Sequence, residues 1–520
     1  MKCQMIEIEK RTWLLPVFAF IGAFAVRFYL ALFSNIITPD GILYIRTARL
    51  IESGESKKLM EFTFIHLYPY LVLLAHKIFP DWETAGQMVS VLMGSLAVIP
   101  LFLLTKRMFG LRIASITALF YIINPRLADY SADVLREPTF WFFSITALWL
   151  AREGISRNNP IWIILSNIST ILAAFARIEG VAIFIVILFW IIWHFAKEKP
   201  NPGRLCLHLF AYIFAFPVLF SPFIFIFKGV FAKWDFGFTL VKIWLLVTSK
   251  SGKALALSPE SVQTVSPELV TFLELAKNHR YVIFLSDIIL RLVRSLNVVF
   301  FFLAVVGIFR RRNTPYSKND IPVAIWFGVF FITAFLYISK VYYFSTRHGT
   351  LLVFPMLIWA GIGFFELKEQ IRSWLGKVYP SAFFTRHTAA ILIAAILIAI
   401  LPKTLSPGDY EKRELKEAGI YLKTKGYSGT IFAGEPVLYR IAFYADSEYI
   451  PLPFIKTEDE LAGLMKENKA AFLILDDKTD NALYKNMRTR LDPSVFEKVD
   501  LPGLEKFREY SLSLYRLKDR

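Results

Sequence analysis

Cysteine is almost absent: two residues, Cys3 and Cys206, in a chain of 520. Both precede or follow basic clusters that the charge pattern assigns to the cytoplasmic side. No cysteine is therefore left outside for a disulfide, and external parts have to hold by packing alone. The tail after residue 405 contains no Gly-rich phosphate loop and no His/Cys cluster. The seven histidines of the chain show no metal-ligand spacing. No small-residue cleavage site follows the first hydrophobic stretch, so it reads as an uncleaved signal anchor. An internal repeat of the kind that marks many transporters is also missing.

What is abundant is apolar surface. The composition is 56% hydrophobic with 50 Phe, more than a soluble core can hide, and this predicts a polytopic membrane protein. The net charge of +17 suggests nucleic acid only until its distribution is read. From Ser406 onward nineteen Lys/Arg face twenty Asp/Glu, so the surplus lies between hydrophobic runs. That is a topology signal, and no nucleic-acid partner is expected.

Runs of membrane length recur near 13–33, 84–105, 112–128, 138–152, 160–176, 179–196, 205–227, 286–309, 321–338, 349–366 and 388–405. At roughly twenty residues per crossing this predicts about 11 transmembrane helices. Lys10/Arg11, Lys106/Arg107/Arg112, Arg152/Arg157, Lys197/Lys199/Arg204, Arg310–Arg312 and Lys368/Arg372/Lys377 fall in alternate loops, which the positive-inside rule makes cytoplasmic. An odd number of spans places the tail outside. Segment 66–80 is apolar but too short to cross and reads as interfacial or re-entrant. The tail alternates helical stretches (411–425, 458–466) with β-like ones (430–433, 470–475, two more within 492–517). The expected organisation is a transmembrane domain over 1–405 and a small extracytoplasmic α/β domain over 406–520.

The predicted outer face collects the loop after the first span, the loop 124–138, the link Arg177-Ile178-Glu179, a long loop over about 228–287 with a Gly/Ser/Pro-rich middle, and the link 339–349. Ionisable residues at span ends are costly and are functional candidates by default. They are Arg27; Asp40, at the start of an amphipathic segment; Asp133, Arg136 and Glu137; Arg177 and Glu179; and Arg347 with His348. His66 opens the short apolar segment. Each also has an ordinary reading. Asp40 reads as a helix N-cap, Arg27 as a snorkelling side chain, Asp133 as a solvated loop charge, Arg177 and Glu179 as a structural pair, and the histidines as isolated side chains. As a set, a carboxylate facing several arginines at the membrane boundary suits chemistry on a lipid-linked phosphate. The arginines hold the leaving group and the carboxylate takes a proton from the attacking group.

In order, the chain shows a span ending in Arg, P-D-x-x-x-Y (Pro39 to Tyr44), A-R-L-I-E-S-G, H-L-Y-P-Y, K-R-M-F-G and Y-S-A-D-V-L-R-E-P. This order resembles the membrane glycosyltransferases of the GT-C fold that use polyprenyl-phosphate sugars, among them the protein O-mannosyltransferases and the lipid A aminoarabinose transferase. The likeness covers roughly 14–196, with a second patch at Tyr342–Gly363. It implies Asp40 as the catalytic first-loop acid, Glu137 as a second acid, and Arg347 as a ligand of the lipid phosphate. It further implies a polyprenyl-phosphate sugar donor and a lipid, glycan or protein acceptor among membrane lipids. A divalent metal stays open. Where many relatives carry Asp-Glu, this chain has Asp40-Gly41. Trp234-Asp235-Phe236-Gly237 is similar to an oligosaccharyltransferase signature, but lacks its first Trp and lies between spans. A multi-span transporter or lipid flippase, or an inactive scaffold, is the alternative.

Overall fold

The computed structural model describes residues 14–34, 36–55, 66–198, 202–226, 274–310, 317–378, 382–406, 413–426, 429–433, 438–452, 458–476, 491–499 and 512–518. Lys10, Arg11, Cys3, Lys199, Arg311 and Arg312 lie outside these residues. So do most of the long loop and the Trp234–Gly237 tetrapeptide. The chain divides into two compact units. One holds the chain up to Ala31 together with Thr47–Ser406; the other joins Leu32–Arg46 to Pro407–Arg520.

The first unit is helical. Among the described residues, six helices are long and apolar enough to cross a membrane: Leu14–Leu32, Trp82–Phe109, Ile178–Lys197, Asn319–Val341, Thr350–Lys377 and Arg386–Thr404. Arg280–Leu296 and Val298–Arg310 make a seventh if the bent pair counts as one span. The runs expected at 112–128 and 160–176 are helices too, but Leu111–Ile123 has 13 residues and Pro160–Ala176 has 17. These are short against the roughly twenty a perpendicular crossing takes. Glu137–Arg157 is long enough at 21 residues, yet both its ends are charged.

Local signals set these boundaries. Asn124 caps the helix Pro125–Ala132, its Oδ1 accepting from Leu127 N at 2.9 Å with proline at the first helical position. Asn159 and Pro160 repeat the arrangement two helices later, with Asn159 Oδ1 accepting from Ile161 N. The bent pair turns by 110° at Asn297, whose φ is 74°. The carbonyls of Ser295 and Leu296, freed by the break, both accept from the buried Asn124 side chain, at 3.2 and 3.1 Å. Broken helices survive at membrane depth only with such substitutes. Glycine allows the closest helix contact: a Cβ on Gly307 would collide with the Trp359 carbonyl, and one on Gly363 with that of Leu303.

The second unit is an α/β layer. Strands β1 (Thr430–Ala433), β2 (Glu448–Pro451), β3 (Ala470–Asp476), β4 (Phe496–Val499) and β5 (Leu512–Leu517) form one sheet in the order β2-β1-β3-β5-β4. The first three are parallel, and β5 runs antiparallel to both β3 and β4. Both faces are covered, which is why β3 reads as an unbroken apolar run. Phe472 and Ile474 pack with Leu415, Leu422 and Ile441, while Leu473 and Leu475 pack with Leu461, Met465 and Phe496. Ile36 belongs to the first of these clusters. Ile37 N donates to Tyr444 Oη at 3.2 Å, and Arg46 Nη1 to Tyr439 Oη at 3.0 Å. The segment 32–46, expected with the membrane part, thus packs with the tail.

Candidate active site

Asp40 stands in the first turn of the helix Pro39–Ser53. It is not the cap that its sequence context suggests. Thr38 takes that place: its Oγ1 accepts from Gly41 N at 3.3 Å and its carbonyl from Ile42 N at 3.2 Å. Pro39 supplies the pre-set φ of the first helical position. Asp40 therefore falls one residue inside the helix, half-buried, where the N-terminal dipole favours a carboxylate. Tyr44, one turn on, is buried. Both belong to the second unit.

In the helical unit the ionisable residues gather around Arg177. Glu137 opens its helix with Pro138 behind it and is 2% exposed. The helix Pro160–Ala176 ends at Arg177, whose backbone is extended, and a 3-10 turn Ile178–Gly180 follows. Arg177 Nη1 donates to Glu137 Oε1. Its Nε and Nη2 donate to Glu179 Oε2 and Oε1, at 3.2 and 2.6 Å. The guanidinium is 5.9 Å from the centre of the Phe140 ring. One cation so bridges two carboxylates in a buried setting, where charge-assisted bonds are strongest.

Three hydrogen-bonded ties bring further elements to this group. Tyr68 donates to the Gly86 carbonyl at 2.8 Å and meets Ser90 Oγ at 2.7 Å. Ser90 Oγ is also bonded to the Leu135 carbonyl and amide, which fixes the helix after His66 against the residues leading into Arg136. Tyr130 Oη meets Thr346 Oγ1 at 2.6 Å. Trp141 Nε1 donates to Thr350 Oγ1 at 2.9 Å, and that hydroxyl donates to the Arg347 carbonyl at 2.9 Å. Arg347 and His348 are thereby pinned beside the first turn of the Glu137 helix.

The two histidines report the resulting field. Burial holds His66 well below its ordinary value, and Arg136 and Arg177 add to the effect. Burial and Arg177 bring His348 down to about 4, against the opposing pull of Glu179 and Glu137. His348 Nδ1 accepts from Ser345 N at 3.1 Å, which leaves the proton of the neutral ring on Nε2. Both rings are neutral at pH 7. Arg136 also acts electrostatically on Glu179, and Arg347 on His348.

One expected member is elsewhere, and another has a local backbone bond. Arg27 is fully buried. Its guanidinium donates to the Ala23 and Tyr121 carbonyls and stacks 4.6 Å from the centre of the Tyr121 ring. Asp133 ends the helix Pro125–Ala132, its Oδ1 accepting from Val134 N at 2.6 Å. Among the described residues no three His, Cys, Asp or Glu side chains gather as metal ligands. Tyr68, Ser90, Tyr130, Trp141, Thr346 and Thr350 were missed from sequence. Tyr68, Tyr130, Thr346 and Thr350 stand within two residues of a charged or histidine side chain, Trp141 lies one helical turn after Glu137, and nothing in the sequence marks Ser90.

This arrangement of helices is the GT-C fold of membrane glycosyltransferases. The structure of ArnT from Cupriavidus metallidurans bound to undecaprenyl phosphate matches 96% of this chain over 97% of its own, with TM-score 0.60 and 13% identity. Archaeal oligosaccharyltransferase AglB from Archaeoglobus fulgidus, in complex with an inhibitory peptide and a dolichol-phosphate, matches 96% of this chain over 72% of its own, with TM-score 0.55 and 14% identity. Within the chain, residues 66–226 match the family model for dolichyl-phosphate-mannose-protein mannosyltransferase. That stretch holds His66, Arg136, Glu137, Arg177 and Glu179. No curated protein sequence matches the chain significantly.

Proposed function

We propose that this chain is an inverting glycosyltransferase that moves a sugar from a polyprenyl-monophosphate donor to a lipid, glycan or protein acceptor. It works at the extracytoplasmic face of the cytoplasmic membrane, which it crosses about eleven times. The observation that carries the reading is the cluster of buried Glu137 and Arg177 with half-buried Glu179 and with Arg136, all inside the stretch that matches the mannosyltransferase family, and Arg347 brought beside it from outside that stretch. Within the helical unit, three guanidinium groups stand against two carboxylates with both histidines neutral, a surplus of one positive charge in that cluster. A phosphodiester-linked sugar brings one negative charge and balances it. The solved relatives hold undecaprenyl phosphate and dolichol-phosphate, which supports a lipid-phosphate ligand.

In the proposed reaction an acceptor hydroxyl or amine attacks the anomeric carbon from the face opposite the phosphate. The carbon–oxygen bond to phosphate breaks with inversion, and the polyprenyl phosphate departs with the electron pair. Arg347, with Arg136, holds that phosphate and offsets the charge that grows on it. Asp40 is assigned the acceptor's proton, an assignment that rests on the P-D-x-x-x-Y motif and on Thr38 having relieved it of the cap. Glu137 accepts a hydrogen bond from a substrate hydroxyl. The test is transfer of labelled mannose from dolichyl-phosphate mannose, with a panel of other polyprenyl-phosphate sugars, by purified wild-type and Asp40→Asn protein. Equal turnover by the two removes the aspartate from the mechanism, and no turnover with any donor removes the reading.

A further inference from the structure

We infer that the tetrapeptide Arg177-Ile178-Glu179-Gly180 is a positioning device that sets the orientation of the Glu137 carboxylate, and that Arg177 does not bind the lipid phosphate. The inference rests on the reading above for its catalytic consequence, but its geometry stands alone. The chain leaves the helix Pro160–Ala176 in extended form at Arg177 and at once tightens into the 3-10 turn, with Gly180 N donating to the Arg177 carbonyl at 2.9 Å. Such a turn lies hard against the helix it leaves. A Cβ at Gly180 would overlap the backbone of Ala173 and Ala174, so glycine is required for close approach.

Two-residue spacing across this turn brings the Glu179 carboxylate alongside Nε and Nη2 of Arg177 as a two-bond fork. The fork fixes the plane of the guanidinium, and the Phe140 ring lies beside it. The remaining nitrogen, Nη1, then points to Glu137 Oε1. All three guanidinium nitrogens donate to carboxylate oxygens, so the protein's own anions hold the group's orientation. Glu137 Oε2, by contrast, is enclosed and has no hydrogen-bond partner among the described residues. A buried acceptor left unmatched is costly unless a ligand supplies the donor. The carboxylate thus has one oxygen anchored and one presented, and Glu179 acts two steps away, through Arg177.

Full-length protein in detergent tests this with dolichyl phosphate as the binding probe and dolichyl-phosphate mannose for turnover. Arg177→Lys keeps the charge and loses the fork. It is expected to lower kcat about 10²-fold, the scale of a misplaced reacting group, with Kd for dolichyl phosphate within about two-fold of wild type. Arg347→Gln is expected to raise that Kd by about ten-fold or more. If Arg177→Lys weakens dolichyl phosphate as much as Arg347→Gln does, Arg177 is a phosphate ligand and the inference falls.

A second arm needs no ligand. The melting-temperature effects of Glu137→Gln and Glu179→Gln are measured singly and together, with Arg177 intact and with Arg177→Gln. Non-additive effects that become additive once Arg177 is replaced support the device. Additive effects with Arg177 intact overturn it. If wild type neither binds dolichyl phosphate nor turns over the donor, the donor reading fails by itself, and this cycle decides the device.

Discussion

Trp141 Nε1 lies 2.9 Å from Thr350 Oγ1 and donates to it. The two residues are far apart in sequence, and their bond ties the first turn of the Glu137 helix to the link that carries Arg347 and His348. Both side chains are buried, so this is a tie that water cannot replace.

Trp141→Phe keeps the apolar ring and removes the donor. The loss should cost about 1 kcal/mol, visible as a fall of a few degrees in the melting temperature. Because Thr350 also positions the Arg347 carbonyl, affinity for undecaprenyl phosphate should weaken several-fold. Binding equal to wild type would separate the tie from the phosphate site.

Asp40→Asn and Glu137→Gln preserve shape and remove charge. Turnover of a competent donor should fall by about 10²–10⁴-fold for Asp40→Asn, the range of a lost general base. Glu137→Gln should fall less, since its role is to accept a hydrogen bond. Thermal unfolding of both variants distinguishes a chemical loss from a folding one.

His348 makes stability depend on pH in a defined direction. Its proton affinity in the folded chain corresponds to a pKa of about 4, below the ordinary histidine value. Between the ordinary value and 4, the unfolded chain binds a proton that the folded chain refuses. Stability therefore falls as pH drops from about 6.5 toward 4, by at most about 1.4 kcal/mol per pH unit for one proton. His66, lowered in the same direction, adds to the slope. Melting curves of His348→Gln between pH 7 and 4 should be flatter than wild type, and parallel curves would contradict the buried neutral ring.

Gly363→Ala places a methyl group against the Leu303 carbonyl, where the helices Val298–Arg310 and Thr350–Val378 meet. The overlap should cost about 1–3 kcal/mol. Gly376→Ala, on the same helix with nothing within 4 Å of its Cβ, is the control and should be neutral or mildly stabilising.

Much of the candidate site was legible because charge in an apolar segment is conspicuous. Glu137, Arg177, Glu179 and Arg347 stand out as ionisable residues at helix ends, and the structure gathers those four around His348. Arg27 stands out by the same signal, yet its guanidinium is taken up by carbonyls and the Tyr121 ring. Burial of a charge shows up in a sequence, and the identity of its partner does not. The sequence leaves Asp40 open as a cap as well as a catalytic acid, because Thr38 and Asp40 are both good capping residues. Only the bond to Gly41 N shows which one is used.

The sequence alone determined a membrane-embedded helical chain with an α/β tail, since neither 56% hydrophobic content nor the apolar run of β3 has another physical outlet. It also determined which residues carry charge at the ends of apolar helices. The tertiary structure decided what those charges face: Arg177 on two carboxylates, His348 neutral beside them, and Leu32–Arg46 packed with the tail. The division follows from range. Hydropathy and capping act within a few residues, whereas the direction of a guanidinium is set by groups brought from distant parts of the chain.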